Sequence, residues 1–487
     1  MAFSRETIIS ATIWKLLERF STQIASFVIT ILLARILMPE EYGIIAMLTI
    51  FINIANVIID GGLNTALIQK KDADNIDFST ILIASLAVAT FLYVVLFFCA
   101  PYISSFYSVD ILTPVLRVLS LNLIIISFNS IQRAYVSKYM LFGKLFYSSF
   151  FSVLLSGTIS IYLAYSGWGV WALVAQQLLL QILTSIIMWF TIKWRPIFVF
   201  SVVSFKGLFN YGWKILVTNL IISFYENVRS LVIGRIYKPS SLAYYDRGRQ
   251  FPDLIMININ TSLQTVLLPA FAEVQDDKIR LKEMMRRSLK LSCFCVFPFL
   301  TLMFVCAKPI VLVLLTSKWL MTVPFIQIFC VAQMFMPIQS SNIAAIKAMG
   351  YSGVILKLEL FKKVLEAIIM IVSFMMGLYA IAYGVVIYNF LCIFINLRPN
   401  KKLLDYGMRE QIGDTLHPFA LSAIMGGLVY GLSFCNLSVF SLLITQCVGG
   451  VIIYILLSNV TKDESFIYLI NMLRQKKVGS NKRYEKK

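Results

Sequence analysis

Residues 19–64 read RFSTQIASFVITILLARILMPEEYGIIAMLTIFINIANVIIDGGLN. Two apolar segments flank a short Pro/Glu/Gly turn, and each carries polar residues at helical spacing. Arg19, Gln23, Ser26 and Thr30 share one face of the first; Asn53, Asn56, Asp60 and Asn64 share one face of the second. A single polar stripe on an otherwise apolar helix points that stripe at a partner or a polar space, and the rest of the circumference at hydrocarbon or packed neighbours.

The remainder of the chain supports the membrane reading. It has 487 residues, 59% of them hydrophobic and 14% charged, with mean hydropathy +0.81. A soluble protein could not hide that much apolar side chain. Uncharged runs at 81–100, 118–132, 145–192, 254–272, 319–346, 367–397 and 415–460 are long enough for spans, three of them for two each. Nothing alternates as a barrel strand would, so helices are the only spanning option. The expected architecture is all-α and integral to the membrane, with about fourteen transmembrane helices. The N-terminal sequence lacks the short apolar core and small-residue cleavage site of a cleavable signal.

Most of the 43 lysines and arginines fall on the termini and the even-numbered connections, an asymmetry that places both termini in the cytoplasm. It also accounts for most of the net charge of +19, so no nucleic-acid partner is required. Residues 274–290, VQDDKIRLKEMMRRSLK, read as a cytoplasmic surface helix capped by Asp276 or Asp277 and running into the ninth span. The tail RQKKVGSNKRYEKK reads as a basic, disordered end near anionic lipid.

The opening stretch recurs. Residues 28–69 align without gaps on 228–269, with Val28, Arg35, Ile36, Pro39, Phe51, Ile59, Leu63, Thr65 and Leu67 identical in the second copy. The stripes recur as well: Arg19, Gln23, Ser26 and Thr30 fall on Asn219, Ser223, Glu226 and Ser230, and Asn53, Asp60 and Asn64 on Asp253, Asn260 and Gln264. Asn56 falls on Met256 and loses its polarity. Six spans per copy is even, so the reading is two parallel six-helix lobes, 1–200 and 201–400, related by pseudo-twofold symmetry. Two extra C-terminal helices over 401–460 and the basic tail 461–487 follow. Transporters built this way keep their site between the halves.

There is no phosphate-binding loop, zinc-protease motif, nucleophile elbow or dinucleotide fingerprint, and no soluble stretch large enough for an ATPase domain. The reading is therefore not an enzyme, with no cofactor beyond coupling to an H+ or Na+ gradient. The eight cysteines sit almost all in apolar runs and read as small buried side chains. His417, the only histidine, reads as interfacial.

Charge inside spans is the sharpest signal, since it costs about 2.5–3.5 kcal/mol at mid-bilayer and demands a cavity or a partner. Arg19 can face a cavity, pair with Glu18 or snorkel. Lys214 sits between a cavity role and an interfacial anchor beside Tyr211 and Trp213. Glu226 and Arg229 can neutralise each other or line the cavity. Asp60 could pair with Arg19, bind a proton or ion, or cap the Gly61-Gly62 break. Lys362 and Lys363, flanked by Glu359 and Glu366, read as neutralised at i, i+4. Interior cations outnumber deep carboxylates, which suits an anionic ligand. The candidate binding residues are Arg19, Gln23, Asn53, Asn56, Asp60, Asn64, Lys214, Asn219, Glu226, Arg229, Asn260 and Gln264.

Four stretches carry a resemblance: LARILMPEEYG at 33–43, GRIYKPSSLAYYDRG at 234–248, PAFAEVQDDKIRLKEMMRRSLKL at 269–291, and SKWLMTVPFIQIFCVAQMFMPIQSSNIAAIKAMGYS at 317–352. Together they resemble the bacterial polysaccharide exporter family, in the colanic-acid-type lipopolysaccharide exporter branch of the multidrug/oligosaccharidyl-lipid/polysaccharide superfamily. The resemblance covers about 1–400 well and the last two spans poorly. It implies a flippase of the inner membrane that moves undecaprenyl-pyrophosphate-linked oligosaccharide to the periplasmic leaflet by alternating access. Membrane lipids and the polysaccharide polymerase machinery are the implied partners, and Arg19 occupies a plausible position for the cationic first-span residue of such flippases. The rivals are a cation-coupled multidrug exporter of the same fold, a membrane-embedded glycosyltransferase, which would need a large periplasmic loop, and a structural subunit, which the polar stripes argue against.

Overall fold

The computed structural model describes residues 4–471, the side chains of 5, 261–264 and 266 excepted, and every regular element among them is helical. The chain divides into two compact units, Met1–Ala243 and Tyr244–Lys487. The first holds α1 (Arg5–Ile36), α2 (Pro39–Asp60), α3 (Leu63–Gln69), α4 (Asn75–Tyr107), α5 (Leu112–Leu119), α6 (Leu121–Lys138), α7 (Phe142–Tyr165), α8 (Val170–Thr191) and α9 (Val202–Ile236). α10 (Pro239–Glu273) starts before the boundary. The second unit continues with α11 (Lys278–Val305), α12 (Ala307–Leu314), α13 (Val323–Met334), α14 (Met336–Ala348), α15 (Ser352–Met376), α16 (Leu378–Leu404), α17 (Met408–Gly431) and α18 (Val439–Val460).

Among the described residues, twelve helical stretches are long and apolar enough to cross a membrane. The expectation of about fourteen differs by α10 and α15: α15 has the length but carries too much charge, whereas the interior charges of α10 are confined to its first half and its second half includes side chains outside the described residues. α10 holds Asp246, Arg247, Arg249 and Asp253; α15 holds Lys357, Glu359, Lys362, Lys363 and Glu366. Two single-span expectations are broken helices. The chain bends between α5 and α6 at Ser120, and between α13 and α14 at Phe335, just before Pro337.

The turn read at 37–39 forms as its residues require. Leu37 and Met38 are extended, Pro39 opens α2, and the Glu41 carboxylate accepts from the Met38 backbone N–H at 2.7 Å. At the matching place α9 ends on extended Tyr237 and Pro239 opens the next helix. Arg35 and Arg235 lie in the last turns of α1 and α9, where a cation meets the negative end of the helix dipole.

In the first unit α1 lies along α7, and α2 along α9. The buried face of α7 is a row of small residues, Ser148, Ser152, Ser156 and Ser160, with Gly157 against Ile29 of α1. Small residues let helices approach where hydrocarbon offers no hydrophobic drive. One end of the unit is tied by charge. Lys70 pairs with buried Asp77 at 2.6 Å, Asp77 accepts from Ser204 of α9, and Lys138 of α6 donates to the backbone carbonyls of Leu67 and Lys70.

In the second unit the expected surface helix is the beginning of α11, and Asp277 is its cap, accepting from the N–H groups of Ile279 and Arg280 at 3.1 and 3.0 Å. Arg286 then forks onto Asp414 of α17 at 2.8 and 2.9 Å. Buried Tyr406, between α16 and α17, donates to the same carboxylate at 2.7 Å. Burial, with that bond, pushes the Tyr406 hydroxyl well above the usual phenol range. Asn342, Asn400 and Gln411 form a buried amide network joining α14, α16 and α17. On α15 the expected i, i+4 neutralisation is replaced by i, i+3 pairs, Lys362–Glu359 at 2.5 Å and Lys363–Glu366 at 2.9 Å. Lys362 and Glu366 are themselves buried, and the shorter spacing lets each lysine stem reach its carboxylate along the same face.

Two glycines separate a backbone contact from a side-chain contact. A Cβ on Gly43 would sit 1.9 Å from the Pro239 carbonyl oxygen, whereas one on Gly157 would meet side-chain atoms alone, Cδ1 and Cγ1 of buried Ile29 at 2.2 and 2.6 Å. Gly43→Ala is expected to lower the thermal midpoint and the monodisperse fraction of purified protein sharply, beyond the roughly 1–3 kcal/mol of ordinary overpacking. Gly157→Ala is expected to cost less, with fluorescence-detected gel filtration after a heat ramp as the measurement.

Candidate functional site

The polar residues singled out in the sequence lie on α1, α2, α3 and α9 of the first unit and on α10 of the second. On α2, Asn53 donates through Nδ2 to Asn227 Oδ1 of α9 at 3.2 Å. Asn227 in turn donates to the Ser223 backbone carbonyl one turn back at 2.7 Å. The stripe of α2 thus faces α9, as two half-buried amides that satisfy each other between apolar helices. Asn219 is half-buried on the same face of α9; Lys214 and Glu226 are exposed and Arg229 is half-buried.

Further along, α2 ends at the double glycine. Gly61 and Gly62 both have positive φ, 52° and 68°, a region open to glycine and strained for other residues. The break is also the closest approach to α9: a Cβ on Gly62 would lie 2.4 Å from the Gly212 carbonyl oxygen, and one on Gly212 would lie 3.0 Å from the Gly61 oxygen. Across the break Asn64 donates to the Asp60 carboxylate. The side-chain oxygens of Asn56 and Asn64 are buried without a donor. Ser85 of α4, buried, reaches the Ile59 carbonyl at 3.4 Å.

Of the three readings open for Asp60, pairing with Arg19 is not the one formed; its partner is Asn64. Nor does Glu18 hold Arg19. The Arg19 guanidinium is exposed and has no ion pair among the described residues. Gln23 is half-buried one turn along the same helix.

In the second unit Asn260, the counterpart of Asp60, accepts from Ser340 of α14 at 2.6 Å. Asp253, the counterpart of Asn53, is held by Arg249 at 2.9 Å and by Gln333 of α13. The side chain of Gln264 lies outside the described residues, as does the basic tail beyond 471. His417 pairs with Asp463 at 2.8 Å. No group of three or more His, Cys, Asp or Glu capable of holding a metal ion occurs among the described residues.

Two residues here were not singled out from sequence. Asn227 was passed over because the repeat directed attention to Glu226, although Asn219, Ser223 and Asn227 stand at i, i+4 and i+8 and carried the signal. Arg133 was placed in a connection, yet its span runs from Leu112 to Lys138.

Many apolar helices with paired polar residues on their inner faces define a multi-pass membrane transporter, and solved structures share the fold. The lipid II flippase MurJ in an inward closed conformation superposes with TM-score 0.75 at 17% identity, covering 92% of this chain and 98% of that one. An inward-facing multidrug resistance MATE family transporter of the MOP superfamily gives TM-score 0.59 at 17% identity, covering 79% and 94%. The chain belongs to the family described as polysaccharide biosynthesis protein, whose model matches residues 32–324. Its relatives include the teichuronic acid biosynthesis protein TuaB of Bacillus subtilis (strain 168), 24% identical over 401 residues and covering 78% of this chain and 79% of that one. The lipopolysaccharide biosynthesis protein WzxC of Escherichia coli (strain K12) is 23% identical over 429 residues, covering 86% of each.

The α2–α9 amide pair makes a measurable claim. Asn53→Ala and Asn227→Ala should each cost about 1 kcal/mol through the orphaned partner, and the double variant about the same as either single. A double-mutant cycle on thermal midpoints in lipid nanodiscs reads the coupling; additive losses would mean that the two amides do not interact.

Proposed function

We propose that this protein is a flippase that moves undecaprenyl-pyrophosphate-linked oligosaccharide from the cytoplasmic to the periplasmic leaflet for cell-surface polysaccharide biosynthesis. It sits in the inner membrane with both termini in the cytoplasm and works by alternating access. Membership of the polysaccharide biosynthesis family, relatives named for teichuronic acid and lipopolysaccharide biosynthesis, and the fold shared with a lipid II flippase support this reading. The observation that carries it is Arg19: an exposed guanidinium inside the span Glu6–Ile36, with no ion pair among the described residues.

In this reading the pyrophosphate engages Arg19, whose planar fork matches two phosphate oxygens at once, with either Lys214 or Arg229 of α9 as a further cation. The glycan lies over Asn53, Asn56 and Asn64 of the first unit, amides that exchange hydrogen bonds with sugar hydroxyls at little net cost. The carrier lipid stays in the bilayer, and no covalent chemistry is asked of the protein. A polymerase machinery takes up the translocated unit. The fold shared with a MATE transporter keeps one second reading, cation-coupled export of small molecules, and Asp60 is the feature that favours it.

Arg19→Ala is expected to abolish surface polysaccharide in a strain lacking the chromosomal copy, with protein level in the membrane unchanged, and Arg19→Lys to restore only part of it. Normal polysaccharide with Arg19→Ala would remove the anion site from α1. Growth protection against cationic dyes, lost on Asp60→Asn, would favour the exporter instead.

A further inference from the structure

We propose that the groove between α2, α4 and α9 beneath Arg235 holds one acyl chain of an anionic membrane phospholipid, with the lipid phosphate docked on the Arg235 guanidinium. The groove and its cation follow from the packing of the first unit; only the leaflet, the periplasmic one, rests on the topology of the flippase reading.

Four residues of α4, Leu96, Cys99, Ile103 and Phe106, stand at i, i+3, i+7 and i+10 and so share one face of that helix. With Phe51 of α2 and Leu231 of α9 they line an apolar cavity of about 450 Å3. From Leu96 to Phe106 the helix rises about 15 Å, half of the roughly 30 Å hydrocarbon core. The groove thus has the length of one leaflet, which suits an acyl chain; the far longer polyprenyl chain of a glycan carrier would overrun it. Buried Tyr107 fixes the wall, packing edge-on against Phe106 and Phe51 with ring centroids 5.0 and 6.5 Å away.

Charge sits at one end of the groove. Arg235 stands one helical turn beyond Leu231 on α9, hence on the same face, and its guanidinium lies over the Phe106 ring at 5.2 Å from the centroid. It is exposed, as is Lys238 three residues on, and neither has an ion pair among the described residues. The ring orients the planar fork and leaves its N–H groups to meet a phosphate. Two cations with no carboxylate paired to either favour a headgroup of net negative charge, such as phosphatidylglycerol, over one whose ammonium cancels its phosphate. The helix dipole alone does not account for this arrangement: Arg35, at the matching end of α1, is exposed too but lies over no ring among the described residues. A chain that leaves bulk lipid for the groove gains little from burial, because lipid tails are themselves apolar. Selectivity therefore resides in the headgroup contact, and that is the quantity to measure.

The test is native mass spectrometry of the full chain released from detergent micelles after titration with phosphatidylglycerol or phosphatidylethanolamine. The first phosphatidylglycerol is expected to bind roughly fivefold more tightly than the first phosphatidylethanolamine, the conversion of about 1 kcal/mol for a cation at an anionic lipid headgroup. Arg235→Gln is expected to remove that preference, and Arg235→Lys, which keeps the charge but loses the fork, to retain part of it. Arg35→Gln, which takes the same charge from the matching helix end, is expected to leave it intact. Cys99→Phe, which fills the groove, is expected to weaken the first adduct of both lipids while eluting as wild type on gel filtration. Equal affinity for the two lipids, a preference that survives Arg235→Gln, or one that falls equally with Arg35→Gln would overturn the proposal. So would displacement of the first phosphatidylglycerol by an equimolar polyprenyl pyrophosphate, which would make the groove a carrier site. Because no transport is measured, loss of this site leaves the Arg19 result standing, and a normal Arg19→Ala strain leaves this site standing.

Discussion

Hydrocarbon offers a polar atom nothing to bond with, and that constraint organises this molecule. Backbone groups meet it by folding into helices throughout the described residues. Side-chain groups meet it by turning inward and finding one another: Asn53 with Asn227, Asp77 with Lys70, Asp414 with Arg286, and Asn342 with Asn400 and Gln411. Each pair joins two helices, so the same bonds that make polar residues tolerable also fix which helices are neighbours.

The exceptions are more informative than the rule. Arg19 is exposed inside a span, Asp60 has only an amide, and the oxygens of Asn56 and Asn64 have no donor. These four lie in the stretch from α1 to α3, while other buried polar atoms without a partner, among them both amide atoms of Asn396 on α16, lie elsewhere. In a membrane protein, polar groups left unmatched mark a pathway or a site, and here they separate by sign. The group on α1 is a cation and the one at the α2–α3 break is a carboxylate.

The break itself is a backbone device. Gly61 and Gly62 adopt positive φ and admit the carbonyl of Gly212 from α9, so α2 and α9 touch main chain to main chain. Any side chain at Gly62 would separate the helices and strain the turn. The charged clamp at Lys70, Asp77, Ser204 and Lys138 holds the next connection, so the polar stripe of α2 is fixed at its end by packing as well as by hydrogen bonds.

Much of this was legible in the sequence. Apolar runs gave the helical class, Pro39 and Pro239 marked two matching turns, Asp277 announced its cap, and the spacing of Asn53, Asn56, Asp60 and Asn64 placed them on one face. These are local or periodic features, governed by residues a few positions apart. The partner of that face was not legible, because Asn53 meets a residue 174 positions away and nothing local chooses Asn227 over Glu226. The charge pairing was equally hidden. Sequence adjacency offered Glu18 to Arg19 and depth offered Asp60, but side chains adjacent on a helix point about 100° apart, and tertiary packing left Arg19 with neither and gave Asp60 the amide of Asn64. The sequence by itself determined the helical, membrane-spanning class and which faces are polar. Only the tertiary structure decided which polar groups find partners and which stay free to bind, because that depends on helix rotation and neighbour choice, set by the packing of the whole unit.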